Sequence, residues 1–121
     1  MTISVLKQKN CLIAAIQTAA TDQDLLTLRD CLLEEVGHHR STGVILDVTG
    51  LDVMDSFAVR TFQELAHIIQ LRGANTLVVG IQPDVALSMV KQGLELDGIG
   101  TALDVEQGLD YFDARQASSE R

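Results

Sequence analysis

A chain of 121 residues sits near the commonest length of a single domain, and with 46% hydrophobic residues it can bury a core without metal or disulfide staples. Aromatics make up only 3%, so that core is aliphatic. The net charge of −8, from 17 acids against 9 lysines and arginines, argues against nucleic acid and against an anionic membrane surface, both of which call for a surplus of cations.

The first ten residues, MTISVLKQKN, lack the basic-then-apolar layout of a signal peptide. No stretch approaches the roughly 18 apolar residues of a membrane span, so a cytoplasmic protein is expected. Residues 3–7 and 11–16 are strand candidates separated by Gln8-Lys9-Asn10, a gap too short for a crossover, so they should pair antiparallel. After Thr18-Ala19-Ala20 the period changes. Leu25, Leu28, Leu32 and Val36 fall at helical spacing, with Thr21 and Asp24 as a capping box, which predicts a helix over about 22–38. Residues 43–48 form the next strand. A second helix over about 56–72 turns Val59, Phe62, Leu65/Ala66 and Ile69 inward and stops at Gly73. Residues 76–80 make a further strand, and Pro83 opens a third helix that Gly93 ends near residue 92. Residues 99–103 add a last edge strand. Asp104 and Gln107 cap a closing helix that should end near Phe112, so the domain is expected over 1–113 with a flexible tail over 114–121.

The order predicts a small α/β domain: a mixed sheet of four to five strands with helices packed mainly on one face. Cys11 and Cys31 stand twenty positions apart with no CxxC and no histidine at ligand spacing, so both are expected to be buried free thiols rather than a metal site or disulfide.

The strand–loop–helix stretch around Asp55-Ser56 carries the chemistry. Ser56 stands at the first turn of the second helix, where it can be an N-cap or an exposed hydroxyl that accepts a phosphoryl group. Phe57 beside it either faces inward or forms an apolar rim suited to protein contact. A hydrolase reading is poor. There is no GxSxG elbow, His38, His39 and Arg40 read as a solvated helix end, and His67 lies mid-helix. Asp47 ends a strand, where a receiver domain carries its phosphoacceptor, yet no acidic pair follows the first strand and no lysine follows Lys91. Asp47 is better read as a hydrogen-bonding residue of the loop that presents Ser56. Gly80-Ile81-Gln82-Pro83 reads as an ordinary strand-to-helix corner. Asp22 and Asp24, in the turn into the first helix, should share a sheet edge with Ser56 and give it an acidic rim.

The stretch "ILDVTGLDVMDSFAVR" resembles the signature of the STAS domain, the fold of anti-sigma-factor antagonists. "DSF", "GIQPDVALSMVKQGLELDGI" and "TALDVEQGL" are similar to the RsbS branch, the small single-domain stressosome subunits, over most of the chain. The resemblance implies that Ser56 is a phosphoacceptor, with Asp55, Phe57 and Asp22 at the kinase interface, no catalytic residue, no cofactor and no metal. It implies a scaffold, dimeric as a building block, that assembles with RsbR-like STAS proteins into a large hetero-oligomer. That assembly holds an RsbT-like serine kinase until the serine is phosphorylated, and an RsbX-like phosphatase resets it. Two departures stand out: Thr21 occupies a loop position that is often aspartate, and Phe57-Ala58 replaces the small Ser-Gly pair of simpler antagonists. A soluble anti-sigma-factor antagonist is the second reading. A ligand-binding module is the third, although the chain has no phosphate cradle such as GxxxxGK[ST].

Overall fold

The computed structural model describes residues 3–17, 20–38 and 42–119. Strands β1 (Ile3–Gln8) and β2 (Cys11–Ile16) form the expected antiparallel hairpin, with Lys9 at positive φ in its two-residue turn. There follow α1 (Asp22–His38), β3 (Gly43–Asp47), α2 (Ser56–Leu71), β4 (Asn75–Val79), α3 (Pro83–Gln92), β5 (Gly100–Ala102) and α4 (Val105–Ser119). The five strands lie in sequence order, and β2 to β5 run parallel. Each parallel neighbour is reached by a helical crossover, because parallel strands cannot be joined by a hairpin.

Alternation along the strands sorts the core into two layers. Leu12, Ala14, Val44, Leu46 and Val78 face α1, α2 and α3, while Ile13, Ile45, Leu77 and Val79 face α4. Three helices therefore cover one face and the fourth covers the other. This is why β3 is apolar on both sides: every residue from Gly43 to Leu46 is buried. Along α1 the buried positions are the four the spacing predicts. The α2 stripe extends the predicted set with Ala58 and Thr61. Phe62, Leu65 and Ile69 are essentially inaccessible, and each such burial stabilises by about 1.5–3 kcal/mol.

Two expectations are corrected. The closing helix runs on through Ser119 rather than stopping near Phe112, because Phe112 is buried against the sheet and anchors the helix instead of ending it. A Cβ on Gly43 would overlap the Phe112 ring, so glycine at the start of β3 lets α4 lie close to the strand backbone. Cys31 is exposed, not buried. It flanks the Leu28–Leu32 stripe, and α1 packs on one side only. Cys11 is buried, and desolvation holds its thiol pKa above the ordinary value, with Asp113 adding to the rise and Lys9 opposing it. One thiol per chain is accordingly expected to react promptly with a disulfide reagent at neutral pH, and the second only after unfolding. Two prompt thiols in the native protein would contradict the burial of Cys11. His39, Arg40, Thr18, Ala19 and the last two residues of the expected tail lie outside the described residues.

Candidate functional site

All the parallel strands deliver their C-terminal ends to one edge, where α1, α2, α3 and α4 begin. Carboxylates gather there: Asp22 and Asp24 at the start of α1, Asp47 at the end of β3, Asp52 and Asp55 in the loop before α2, and Asp84 in the first turn of α3. Acids at helix N-termini are stabilised by the helix dipole, so the fold tolerates this concentration of like charge. Thr21 and Asp24 form the expected reciprocal box, the Asp24 N–H donating to Thr21 Oγ1 (3.2 Å) and the Thr21 N–H to Asp24 Oδ2 (2.9 Å).

The loop of residues 48–55 is fastened at several points. Val48, Leu51 and Met54 are buried, with Asp52 and Val53 left outside. Asp47 Oδ1 accepts from the backbone N–H (3.0 Å) and hydroxyl (2.6 Å) of Thr49. Thus Asp47 ties the loop together, as its position suggested. From the other side Gln82 Nε2 donates to Thr49 O (2.7 Å) and reaches Asp52 Oδ1 at 3.4 Å. Gly80, at φ 79°, passes so near Thr49 that a Cβ there would overlap the hydroxyl. The Gly-Ile-Gln-Pro corner is therefore more than a turn, since it clamps the loop that presents Ser56. Sequence reasoning missed Gln82, because its partners lie 33 and 30 positions away and neither glutamine nor its neighbours announce them.

Ser56 is not the cap. Asp55 is: its backbone is extended (φ −89°, ψ −179°), and its carboxylate accepts from the Ala58 N–H at 2.9 Å. Met54 and Val59, either side of the cap, are both buried in the same layer, the spacing of a hydrophobic staple. Ser56 thus becomes the first helical residue, exposed, and its hydroxyl makes no hydrogen bond with any described residue. Other hydroxyls nearby are engaged. Thr49 donates to Asp47, and Thr61 is buried and donates to Phe57 O at 2.8 Å. Phe57 is half-buried and packs against the core, which leaves only part of its ring at the rim. Asp22 is exposed in the first turn of α1 on the same edge and is not hydrogen-bonded to Ser56.

Among the described residues no histidine is placed as a base for a serine nucleophile. His38 is the last residue of α1, at the far end of that helix from the edge, and His67 lies eleven residues along α2, about 16 Å of helix from Ser56. Among the described residues no group of three or more His, Cys, Asp or Glu is placed to hold a metal ion, and no helix is long and apolar enough to cross a membrane. A groove of about 330 Å³ runs from Ser56 along the first two turns of α2, walled opposite by Gly93, Leu94, Glu95 and Asp97. Gln63 Nε2 bridges its far end to Glu95 O at 2.8 Å.

The family model of the STAS domain matches residues 2–108 of the chain. The chain belongs to the STAS domain family. Its fold is accordingly that of a single STAS domain, five strands and four helices. This STAS domain is similar to an RsbS from Moorella thermoacetica solved with a serine-to-glutamate substitution, at 28% identity, TM-score 0.82, and 97% coverage of this chain and 99% of that one. It is similar to a chain of the stressosome, described as a signal integration and transduction hub, at 30% identity and TM-score 0.78, covering 93% of this chain and 98% of that one. It also matches the RsbT co-antagonist protein RsbRA of Bacillus subtilis at 32% identity over 78 residues, 64% of this chain. The chain spans 28% of the length of that relative. Likeness to both RsbS and RsbR proteins agrees with the reading of the Asp55-Ser56 and Gly80–Pro83 stretches as those of a stressosome-type STAS protein.

Proposed function

We propose that this STAS domain is a stressosome scaffold subunit and phospho-switch, which holds an RsbT-like serine kinase and releases it when Ser56 is phosphorylated. One observation carries the reading: Asp55 takes the cap, so Ser56 is presented at an acidic edge with an exposed, unengaged hydroxyl. A serine that capped α2 itself would have its oxygen committed to the backbone. The likeness to RsbS and to a stressosome chain over almost the whole length supports the choice among STAS functions.

In the step proposed, Ser56 Oγ attacks the γ-phosphorus of ATP bound in the kinase. The bond from that phosphorus to the bridging oxygen breaks, ADP leaves, and the hydroxyl proton passes to a base of the kinase. The serine phosphate adds about −1.5 to −2 charge beside Asp55, on an edge that also bears Asp22 and Asp52. Like-charge repulsion then opposes a kinase surface seated on Asp55, Phe57 and Asp22. RsbR-like STAS proteins are the proposed partners in the assembly, and an RsbX-like phosphatase restores the serine in the cytoplasm.

Incubation with ATP, Mg²⁺ and the cognate RsbT-like kinase, followed by intact-mass and peptide mass spectrometry, tests this. A single added phosphate on Ser56 is expected. An unmodified chain, with the kinase active on another substrate, would reduce the domain to a static scaffold and remove the switch.

A further inference from the structure

Arg60 lies one helical turn beyond Ser56 and lines the same groove. Side chains on a helix lean toward its N-terminus, so position i+4 reaches back over position i. Elsewhere on the domain Lys7 pairs with Glu35, Lys9 with Asp113, and Arg29 with Asp30 and Glu64. Arg60 forms no hydrogen bond or ion pair with a described residue, although Glu95 and Asp97 stand on the opposite wall. Gln63 is already committed to Glu95 O. The groove beside the serine therefore contains a guanidinium that pairs with no described carboxylate.

We propose that Arg60 is the receptor for the phosphate carried by Ser56, and that the modified serine folds back into this groove as an intrahelical ion pair. The proposal rests on Ser56 being the phosphoacceptor and adds where the new charge goes. A phosphoserine offers three acceptor oxygens, and the guanidinium fork can meet two of them at once. Val59 and Leu94 also line the groove, while Ser56 and Arg60 are both exposed. The modification would then do two things: charge the acidic edge and fill a groove that is open when the serine is bare. Asp55, at the helix cap, keeps its own bond to the Ala58 N–H, so the phosphate is turned away from the loop and along the helix.

The test reads the second ionisation of the phosphate by the pH dependence of its ³¹P resonance. Phosphoserine is installed at position 56 during translation, which makes the result independent of any kinase. The carboxylates near the serine on its own loop and on the packed elements are Asp22 and Asp24 of α1, Asp52 and Asp55 of the loop, and Glu95 and Asp97 across the groove. Each of them raises that pKa, because each opposes the dianion, whereas Arg60 favours the dianion and lowers it. Arg60→Gln is expected to raise the pKa by about half a unit, roughly a threefold change in proton affinity. Arg72→Gln is the control. It removes the same charge from the far end of α2, about 24 Å along the helix, and should leave the pKa where it was. An unchanged pKa in Arg60→Gln overturns the proposal, and so do equal rises in the two variants, which would report net charge alone. Failure of the kinase to modify Ser56 sinks the switch itself while leaving the titration result standing.

Discussion

Ser56→Ala is expected to keep the proposed kinase bound after ATP and Mg²⁺ are supplied, under conditions in which the wild-type domain is expected to let it go. The hydroxyl is exposed, bonds to no described residue and does not cap α2, so its removal leaves the helix start intact and deletes only the proposed acceptor. Stoichiometric phosphorylation of the wild-type chain should weaken kinase binding roughly 30- to 150-fold, as follows from a loss of about 2–3 kcal/mol at an interface. Ser56→Asp carries one charge against nearly two, so its effect should be smaller and in the same direction. Calorimetric titration of the kinase into the four forms, unmodified, phosphorylated, alanine and aspartate, checks the series. Wild-type affinity in the fully phosphorylated form would end the repulsion account. The repulsion should also weaken with added salt, since the edge is solvent-facing and its charges are screened within about 10 Å at 0.1 M.

The second large effect concerns the helix on the other face. Phe112→Ala should cost about 3–5 kcal/mol, the usual penalty for emptying a buried aromatic site. The ring is 3% exposed, lies over Gly43 and packs in the layer formed by Cys11, Ile13, Ile45, Leu77 and Val79. The neighbouring Tyr111, ring to ring at 5.2 Å and edge-on, is 41% exposed and cannot replace it. Leu103→Ala, at 72% exposure, is the contrast and should change stability by less than about 0.5 kcal/mol. Urea unfolding gives both numbers. Amide exchange should show α4 opening first in Phe112→Ala, because the remaining anchors, Val105 and Leu109, are only partly buried. A midpoint equal to wild type would mean that α4 is not held by this ring.

Much of the fold was legible from local pattern. The hairpin followed from the length of Gln8-Lys9-Asn10, and the α1 stripe from the spacing of Leu25, Leu28, Leu32 and Val36. The closing cap was legible in the same way: the Gln107 N–H donates to Asp104 Oδ1 at 2.9 Å and the Leu103 N–H to Gln107 Oε1 at 3.0 Å, an exchange between residues a turn apart. The site was half legible. Asp55-Ser56 was identified as the place where chemistry would sit, but Ser56 was the residue read as the candidate cap, and the cap is Asp55. Both residue types cap well, and the choice turns on a single position of backbone register, set by how deeply Met54 is buried. Arg60 was within reach of sequence reasoning, since the i, i+4 spacing from Ser56 is plain once the helix is drawn. Gln82 was not.

By itself, then, the amino-acid order determined what depends on neighbours: the periods of strands and helices, the caps of α1 and α4, the turns, the acidic balance and the presence of an Asp-Ser pair at a helix start. Tertiary structure decided what depends on residues far apart along the chain. It placed α4 on the face opposite the other three helices, turned Cys31 outward and Cys11 inward, clamped the serine loop with Gln82, and laid Arg60 along a groove whose other wall begins at Gly93. The physical reason is range. Backbone hydrogen bonding and side-chain periodicity act over a few residues, whereas burial and charge pairing are settled only when distant segments meet.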